Sequence, residues 1–397
     1  MTTLQLKCDV VIFGGGVAGL WLLAELRQQG YQALLLEMDS LGAGQTRFAQ
    51  GIIHGGTKYA LMGKITASSE AISAMPPIWR ESIKGNTSID LKKVKVLSDK
   101  QCMWSTGALS SRMAGFFASK LMRSRTNELK KEQRPKIFQN KDFKGKVYHL
   151  DEPVLDTSSV IQSLAEPNLK SIMHIDSLPN WNNADHTSFN IDDKEGQTWQ
   201  VNTQQCVLMA GKGNASILET LGFDAPKMQL RPLKMVMLRG KLLEKIYAHC
   251  LEANINPRAT ITSHDDSQGN TVWYMGGQLA EEGINRTNEE QIKVAKEEFN
   301  ELLPWLDFSD IEWACLDISR AEPKMDKGKR PDTSFYTVKE NIITAWPTKL
   351  ALAPKLSADI LGYIKSENIL VSGTTEFPNF PHPEYAVLPW QEEQRWL

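Results

Sequence analysis

The first forty residues carry a hydrophobic pattern of strand, turn, helix and strand. An apolar run from Asp9 to Phe13 ends in the turn Gly14-Gly15-Gly16-Val17-Ala18-Gly19, which leads into an amphipathic helix. A second apolar run then ends at Glu37. Short apolar runs on either side of a helical period are typical of parallel strands joined by a crossover helix. We therefore predict a parallel βαβ unit at this end of the chain.

Two stretches of different character interrupt the α/β pattern farther along. The second of them alternates like an antiparallel sheet and contains a charged helix from Asn288 to Leu303. We predict a mixed α/β (α+β) protein of two domains, each discontinuous in sequence. The first domain comprises residues 1–85, 150–225 and 335–397, and the second comprises 86–149 and 226–334.

Two helix boundaries can be predicted from local signals. A helix from about Lys64 to Met75 is expected to stop at Pro76-Pro77, because proline cannot continue a helix interior. A strand from Asn341 is expected to run directly into a helix that begins near Thr348 and continues to about Ile364.

Composition and charge narrow the class of protein. The chain has 397 residues, a formal net charge of −2 and 41% hydrophobic residues, so nothing points to nucleic acid as a partner. Five scattered cysteines without metal-ligand spacing favour a reducing compartment, and we predict a cytoplasmic protein. No segment is predicted to span a membrane. The basic stretch from Lys120 to Lys146 is either a solvated charged face or a contact to an acidic membrane surface or partner.

The glycine-rich turn has the spacing of a dinucleotide-binding fingerprint. Gly14 allows a sharp turn out of the strand, Gly16 allows close approach to a pyrophosphate, and Gly19 allows close packing of helix and strand. Glu37 lies where a carboxylate accepts both ribose hydroxyls, which disfavours a 2′-phosphate and therefore NADP. The alternative is a glycine-rich turn in an ordinary α/β protein. We also predict that Val17, Ala18 and Met38, which lie beside the fingerprint residues, bind the cofactor.

Several motifs together resemble the D-amino-acid oxidase superfamily of FAD-dependent oxidoreductases. They are the N-terminal fingerprint, the strand end Ala210-Gly211, Arg320 ahead of a late strand, and the C-terminal strand-to-helix turn. The resemblance covers the whole chain in order. Within the superfamily, the segment 53–59 (Ile-His-Gly-Gly-Thr-Lys-Tyr) and Lys349-Leu350 are similar to stretches of FAD-dependent glycerol-3-phosphate dehydrogenases. Unlike them, the chain has Pro347-Thr348 where glycines are common.

The resemblance implies FAD as cofactor, bound by a Rossmann-like domain of the glutathione-reductase type with an inserted antiparallel-sheet substrate domain. The long loop after the second strand carries Thr46 and Arg47, which would wrap the pyrophosphate; for Arg47 a surface salt bridge is the alternative. The full set of predicted cofactor-binding residues is Gly14, Gly16, Val17, Ala18, Gly19, Glu37, Met38, Thr46, Arg47, Gly51, Ala210, Gly211, Pro347, Thr348, Lys349 and Leu350.

His54 and Tyr59 are the candidates for proton handling. Oxidation by hydride transfer also releases a proton, which a histidine can accept near neutral pH. For His54, a covalent bond to the flavin and a structural role are the alternatives. Lys349 would stabilise the reduced flavin or reach the anionic group of the substrate.

Positive charge is predicted to bind the substrate. Arg320 lies where relatives carry an arginine that pairs with a substrate carboxylate or phosphate, and guanidinium suits this role by its bidentate geometry. Lys58 and Arg330 are predicted to add charge. The other histidines lack metal-ligand spacing, so no metal site is predicted.

The resemblance, together with these residues, implies an FAD-dependent dehydrogenase or oxidase that oxidises a small anionic substrate by hydride transfer to flavin N5. A glycerol-3-phosphate-like hydroxy compound is the leading substrate. An amino-acid or secondary-amine oxidase of the glycine or sarcosine oxidase kind is one alternative, and a flavin-binding protein without turnover is another. The electron acceptor, oxygen or a quinone, stays open.

Overall fold

The computed structural model describes residues 3–56, 67–106, 126–241, 243–251, 257–326, 331–392 and 396–397. Its strands, β1 to β18 in chain order, are Leu4–Phe13, Ala33–Glu37, Val96–Ser98, Gln101–Ser105, Thr126–Glu128, Lys146–Leu150, Val154–Leu155, Ile172–His174, Asn180–Trp181, Ser188–Asp192, Thr198–Leu208, Met228–Gly240, Ala248–Leu251, Ala259–Asp265, Thr271–Gly276, Glu312–Pro323, Phe335–Lys339 and Ile342–Trp346. The α-helices of the described residues, α1 to α8, are Val17–Gln28, Ala67–Ser73, Met75–Ile83, Thr157–Ala165, Asn214–Thr220, Gln278–Glu282, Asn288–Leu302 and Ala353–Ser366.

The predicted βαβ unit forms the centre of the first sheet. Its main strand order is β17-β18-β11-β1-β2-β8. Strand β10 also pairs with β11, and β9 pairs with β10. Strand β1 pairs in parallel with both β2 and β11, and its residues from Cys8 to Phe13 are buried. An uninterrupted apolar run is what a strand covered on both faces requires. Helix α1 packs on one face beside α4 and α8. Its Trp21 also contacts Trp79 of α3, with ring centroids 4.8 Å apart.

The second sheet has eight strands in the order β16-β12-β15-β14-β13-β4-β6-β5. Its longest pairing is antiparallel, between β12 and β16, in register from Met228 opposite Pro323 to Arg239 opposite Glu312. Helix α7 covers part of this sheet. Its first turn is closed by a capping box, in which Thr287 accepts from the Glu290 N–H and Glu290 accepts from the Thr287 N–H. The predicted mixed α/β fold is therefore confirmed.

The two sheets draw on separate parts of the sequence. Strands of the first come from residues 4–37, 172–208 and 335–346, and those of the second come from 101–150 and 228–323. The domain boundaries given above stay a prediction. None of the helices in the described ranges is both long enough and apolar enough to cross a membrane. All five cysteines are buried as free thiols.

Two predicted helix boundaries are wrong. Pro76 and Pro77 begin helix α3 instead of ending the helix before it, because a first-turn residue needs no N–H for an intrahelical bond. The last helix begins at Ala353 and not near Thr348; a short 3₁₀ turn, Leu350–Leu352, precedes it. The backbone of Thr348 has a φ of +61°, which is incompatible with a right-handed helix.

Candidate active site

The glycine-rich turn packs backbone against backbone at two of its glycines. Gly14 has a φ of +114°, and a Cβ there would lie 2.6 Å from the Cα of Ala210. A Cβ at Gly19 would lie 2.0 Å from the carbonyl oxygen of Gly14. These two positions need glycine for the fold itself, as the fingerprint predicts for the turn and for helix–strand packing.

Gly16 differs from both. A Cβ there would meet one neighbour within 4 Å, Oγ1 of Thr46, at 3.4 Å. This hydroxyl also accepts a hydrogen bond from the Val17 N–H at 3.2 Å. Gly16 is the N-cap of α1 and provides no side-chain cap. The helix N-terminus therefore offers N–H groups beside open space, which is the arrangement that binds a phosphate.

Glu37 closes the turn from the end of β2. One carboxylate oxygen accepts from the N–H of Gly15, and the other accepts from the N–H groups of Met38 at 2.9 Å and Asp39 at 2.8 Å. Burial raises the pKa of Glu37 against the opposing effect of these backbone hydrogen bonds. These three backbone N–H groups hold the carboxylate beside the glycine-rich turn, where it would bind a ribose.

A cavity of about 310 Å³ extends from the turn toward the second sheet. Val17 and Thr46 lie at its nucleotide end, and strands β13 to β16 provide walls on the far side. Of the residues predicted from the sequence, those that line it are Val17, Thr46, Gly51, His54, Arg320, Pro347, Thr348, Lys349 and Leu350. The tertiary structure thus brings residues from three distant parts of the sequence to one space.

The segment 347–350 forms one wall, with Thr348 in the left-handed region and Lys349 extended. Oγ1 of Thr348 donates to the carbonyl of Thr333 at 2.9 Å, and Nζ of Lys349 donates to the carbonyl of Asp332 at 3.3 Å. Lys349 precedes the 3₁₀ turn with φ −146° and ψ 144°. A helix that began at Thr348 would place the charge of Lys349 in its first turn, against the helix dipole. Because the α-helix begins at Ala353, Lys349 is not in that position.

Arg47 has two side-chain partners among the described residues. Its guanidinium pairs with Glu392 near the C-terminus and lies 4.9 Å from the ring centre of Phe48. The structure therefore contains the alternative given above, a salt bridge of Arg47 with Glu392. Contact of Arg47 with the cofactor stays a prediction.

Ala210 and Gly211 follow the end of strand β11, and Ala210 lies next to Gly14. The Ala210 N–H donates to Oδ1 of Asn214 at 2.8 Å, and the Gly211 carbonyl accepts from Nε1 of Trp346 at 3.0 Å. Of the remaining predicted residues, Ala18 is buried in the first turn of α1, and Met38 is 43% exposed. Lys58, Tyr59 and Arg330 lie outside the described residues.

Arg320 lies on β16 opposite Arg231 of β12. Ile318, Ser319 and Arg320 line the cavity from this strand. Arg231 itself is engaged by the buried carboxylate of Glu322, at 3.0 Å from its Nε. Arg320, on the neighbouring strand, lies on the cavity wall.

Two side chains that the sequence analysis missed lie beside His54. Oε2 of Glu152 is 3.4 Å from Nδ1 of His54, and the ring of His249 stacks on that of His54 with centroids 5.9 Å apart. One ligand atom from each of the three residues lies within 4.8 Å of the others. Imidazole and carboxylate also bind transition metals. No sequence spacing announces this cluster, because its members come from three separate segments.

Comparison with known proteins gives the family. The model of the DAO family, FAD dependent oxidoreductase, matches residues 9–338. The probable FAD-dependent oxidoreductase PA4991 of Pseudomonas aeruginosa is 41% identical over 388 residues, covering 97% of this chain and 98% of that protein. Its crystal structure has a TM-score of 0.85 to this chain, at 36% identity over 98% of this chain and 99% of the other.

Two more distant structures share the fold. Glycine oxidase from Geobacillus kaustophilus has a TM-score of 0.64 at 13% identity, covering 94% of this chain and 97% of the other. Dithionite-reduced L-alpha-glycerophosphate oxidase from Mycoplasma pneumoniae, with FAD bound, has a TM-score of 0.64 at 13% identity, covering 97% and 99%. The predicted superfamily, the FAD-binding Rossmann-like fold and FAD as cofactor are confirmed, and the chain belongs to the DAO family of FAD-dependent oxidoreductases.

Proposed function

We propose that this enzyme oxidises a small anionic hydroxy compound, such as a polyol phosphate or a 2-hydroxy acid. One observation carries the proposal: a single cavity is lined both by His54, which lies beside a buried carboxylate, and by the cationic side chains of Arg320 and Lys349. An alcohol that loses a hydride must also lose its hydroxyl proton. A base and a cationic binding site in one space meet both needs of such a substrate.

The residues around the nucleotide turn fit FAD. The open side of Gly16 and the N–H groups that begin α1 would receive the pyrophosphate, with Thr46 beside them. Glu37 would accept from the ribose hydroxyls. When bound, FAD supplies the hydride acceptor of the reaction.

His54 is the proposed base. Its side chain is 42% exposed and lines the cavity, and Nδ1 faces Glu152. Nε2 is therefore the ring nitrogen that would take the proton from the substrate hydroxyl. A neutral imidazole with a carboxylate at its other nitrogen is the arrangement that stabilises the imidazolium formed by this transfer.

Arg320 is the proposed ligand of the substrate's anionic group. Its guanidinium can bind a carboxylate or phosphate through two parallel hydrogen bonds. Lys349 would add a second positive charge from the opposite segment. Lys58, Tyr59 and Arg330 keep the roles predicted from the sequence: charge from the lysine and arginine, and proton handling by the tyrosine.

An amino-acid or secondary-amine oxidase is the second candidate. The observation that favours it is the same buried Glu152, since a carboxylate at the cavity is also a partner for a substrate ammonium group. Hydroxy and amino substrates are separated by which of them reduces the flavin.

Anaerobic reduction of the purified enzyme tests the proposal. We expect polyol phosphates or 2-hydroxy acids to bleach the flavin absorbance and amino acids to leave it unchanged. Reduction by glycine, sarcosine or other amines instead would establish the second candidate. If no compound of either class reduces the flavin while dithionite does, a flavin-binding role without turnover remains. Reoxidation by oxygen or by a soluble quinone then identifies the acceptor.

A further inference from the structure

Glu152 is the most deeply buried acid at the cavity, and its surroundings are built to hold it. Its side chain is 4% exposed, at the end of the loop that follows β6. Oε1 accepts from the N–H of Gly55 at 2.8 Å, and Oε2 lies 3.5 Å from Nε2 of Gln101 on β4. A carboxylate that is buried needs such donors, because an unpaired charge in the interior is strongly unfavourable.

The neighbours of Glu152 favour its ionised form. Burial acts to raise the pKa of Glu152, but the hydrogen bond with His54, the attraction of His54 and His249 in their protonated forms and the Gly55 N–H together lower it. Glu152 is therefore a carboxylate, which has acceptors and no proton to donate.

The ring of His249 packs on that of His54, with centroids 5.9 Å apart. His249 lies on β13, 6% exposed, and its Nδ1 is 2.9 Å from Oγ1 of Thr260 on the neighbouring strand β14. Its ring is nearly parallel to that of His54, with an angle of 26° between the planes. The plane and the Nδ1 edge of His54 thus both contact residues of other segments.

We propose that Glu152 is the positioning residue of this active site: it accepts the Nδ1–H of His54 and so fixes the tautomer whose Nε2 faces the substrate. The inference rests on the proposed function of His54 as base. Neutral imidazole has two tautomers, and the one with its proton on Nε2 cannot accept the substrate proton there. A carboxylate at Nδ1 selects the other tautomer.

The proton transfer is balanced within the cluster. The O–H bond of the substrate breaks, its proton forms an N–H bond at Nε2 of His54, and the electron pair left on oxygen forms the carbonyl C=O bond as the C–H bond breaks. The hydrogen leaves with its electron pair as the hydride that bound FAD would take. His54 gains one positive charge, which lies next to the negative charge of Glu152. The pair is then neutral overall, so that no uncompensated charge is created in a buried site.

The variant Glu152→Gln tests the proposal. An amide has one acceptor oxygen for two donors, the Gly55 N–H and the His54 N–H, so one of them loses its partner. We expect FAD to stay bound and the limiting rate of anaerobic flavin reduction to fall about 100-fold, with a small change in the substrate concentration at half-saturation. Glu152→Asp keeps the carboxylate and should recover part of the rate. A wild-type rate in Glu152→Gln would overturn the proposal.

A second measurement is independent of turnover. In protein labelled with ¹⁵N-histidine, the ring nitrogen shifts report the tautomer, and loss of signals in His54→Gln assigns His54. We expect the Nδ1–H tautomer in the wild type and in Glu152→Asp, and a gain of the Nε2–H tautomer in Glu152→Gln. An unchanged tautomer would refute the inference even if activity falls. If no substrate reduces the wild-type flavin, the proposed function fails and the tautomer alone decides.

Asp193→Asn is the matched control. Asp193 is also a buried acid that accepts backbone N–H bonds, but it lies in the turn between β10 and β11. It should lower stability without altering the His54 tautomer or the limiting rate. If it moves the tautomer as much as Glu152→Gln does, general destabilisation explains both results and the proposal is wrong.

If Glu152→Gln does not fold, Glu152→Asp decides: an Nε2–H tautomer there contradicts the proposal, and an Nδ1–H tautomer supports it. Metal bound to purified wild-type protein at one ion per chain would also overturn it.

Discussion

At the scale of single residues, the three fingerprint glycines have two distinct functions. Gly14 and Gly19 face backbone atoms of their own domain, whereas Gly16 faces a hydroxyl and open space. A side chain at the first two must displace backbone, and one at the third occupies room that a ligand needs. The motif alone does not reveal this division, because all three positions have the same residue type.

Substitutions at Gly16 and Gly19 should therefore fail in different ways. We expect Gly16→Val to fold with little change in far-UV circular dichroism but to bind no FAD, as measured by flavin absorbance after incubation with FAD. Gly19→Ala should lose thermal stability by a large margin, since its Cβ would lie 2.0 Å from a carbonyl oxygen. Full FAD binding by Gly16→Val would show that the pyrophosphate does not pass this residue.

Arg320 can be tested with charged and neutral substrates. We expect Arg320→Ala to lower kcat/KM for an anionic substrate by the equivalent of about 2–5 kcal/mol of transition-state stabilisation, because the anionic group of the substrate loses its partner. Arg320→Lys should recover only part of kcat/KM, since an ammonium cannot form two parallel hydrogen bonds. FAD content is the control. Equal losses of kcat/KM on a charged substrate and on its neutral analogue would instead assign Arg320 a structural role.

At the scale of elements, the described C-terminal residues, 384–392 and 396–397, form a segment that contacts two separate parts of the molecule. Leu41, just after the first βαβ unit, donates its N–H to the Glu384 carbonyl at 2.7 Å. Farther on, Trp390 stacks on His264 of β14 with ring centroids 3.6 Å apart and an angle of 14°. Leu397 exchanges backbone hydrogen bonds with Trp313 of β16 at 2.9 and 3.0 Å. The segment therefore contacts both the loop after β2 and the second sheet.

Removing the Trp390 ring should destabilise the protein strongly. The side chain is 2% exposed, and truncating a buried aromatic residue to alanine typically costs about 3–5 kcal/mol. We expect Trp390→Ala to lower the urea midpoint and the melting temperature. Leu370→Ala is the control, because Leu370 is 73% exposed and should change stability by less than about 0.5 kcal/mol. Similar melting temperatures for Trp390→Ala and Leu370→Ala would show that the segment adds little.

At the scale of the whole molecule, one buried histidine links stability to pH. Nε2 of His264 lies 3.0 Å from Oγ1 of Thr262, and the ring is covered by Trp390. Burial, with the charges of Lys245 and Lys95, lowers the pKa of His264 to about 3. In the unfolded chain the pKa of a histidine is about 6.5. Between these values the unfolded state binds a proton that the folded state does not.

Stability should therefore fall as the pH falls from about 6.5 toward 3, by up to about 1.4 kcal/mol per pH unit from this group. His264→Gln cannot titrate and should be less stable than the wild type at pH 7, because it loses the stacked ring. The difference in unfolding free energy between the two should shrink as the pH is lowered to 5, in urea titrations at fixed FAD concentration. A constant difference from pH 7 to pH 5 would contradict a buried neutral His264.

The local sequence determined the elements whose signals are local. Apolar period and glycine spacing placed β1, the turn and α1, and a Thr and a Glu three residues apart begin helix α7 where the charged pattern starts. Each of these depends on neighbours within a few residues, so the pattern carries the information. The prolines at 76 and 77 show the limit, because the same residues can end one helix or begin the next.

Tertiary structure decided the composition of the active site. Gly55 and Glu152 are 97 positions apart and yet joined by a hydrogen bond, and His249 of β13 contacts His54 from a different part of the sequence. The left-handed backbone at Thr348 likewise follows from packing and not from the period of the sequence. That the cofactor contains a dinucleotide was encoded in a contiguous motif, since such a group binds to one strand, turn and helix. The proton-handling cluster was not, because its geometry exists only once two sheets have come together.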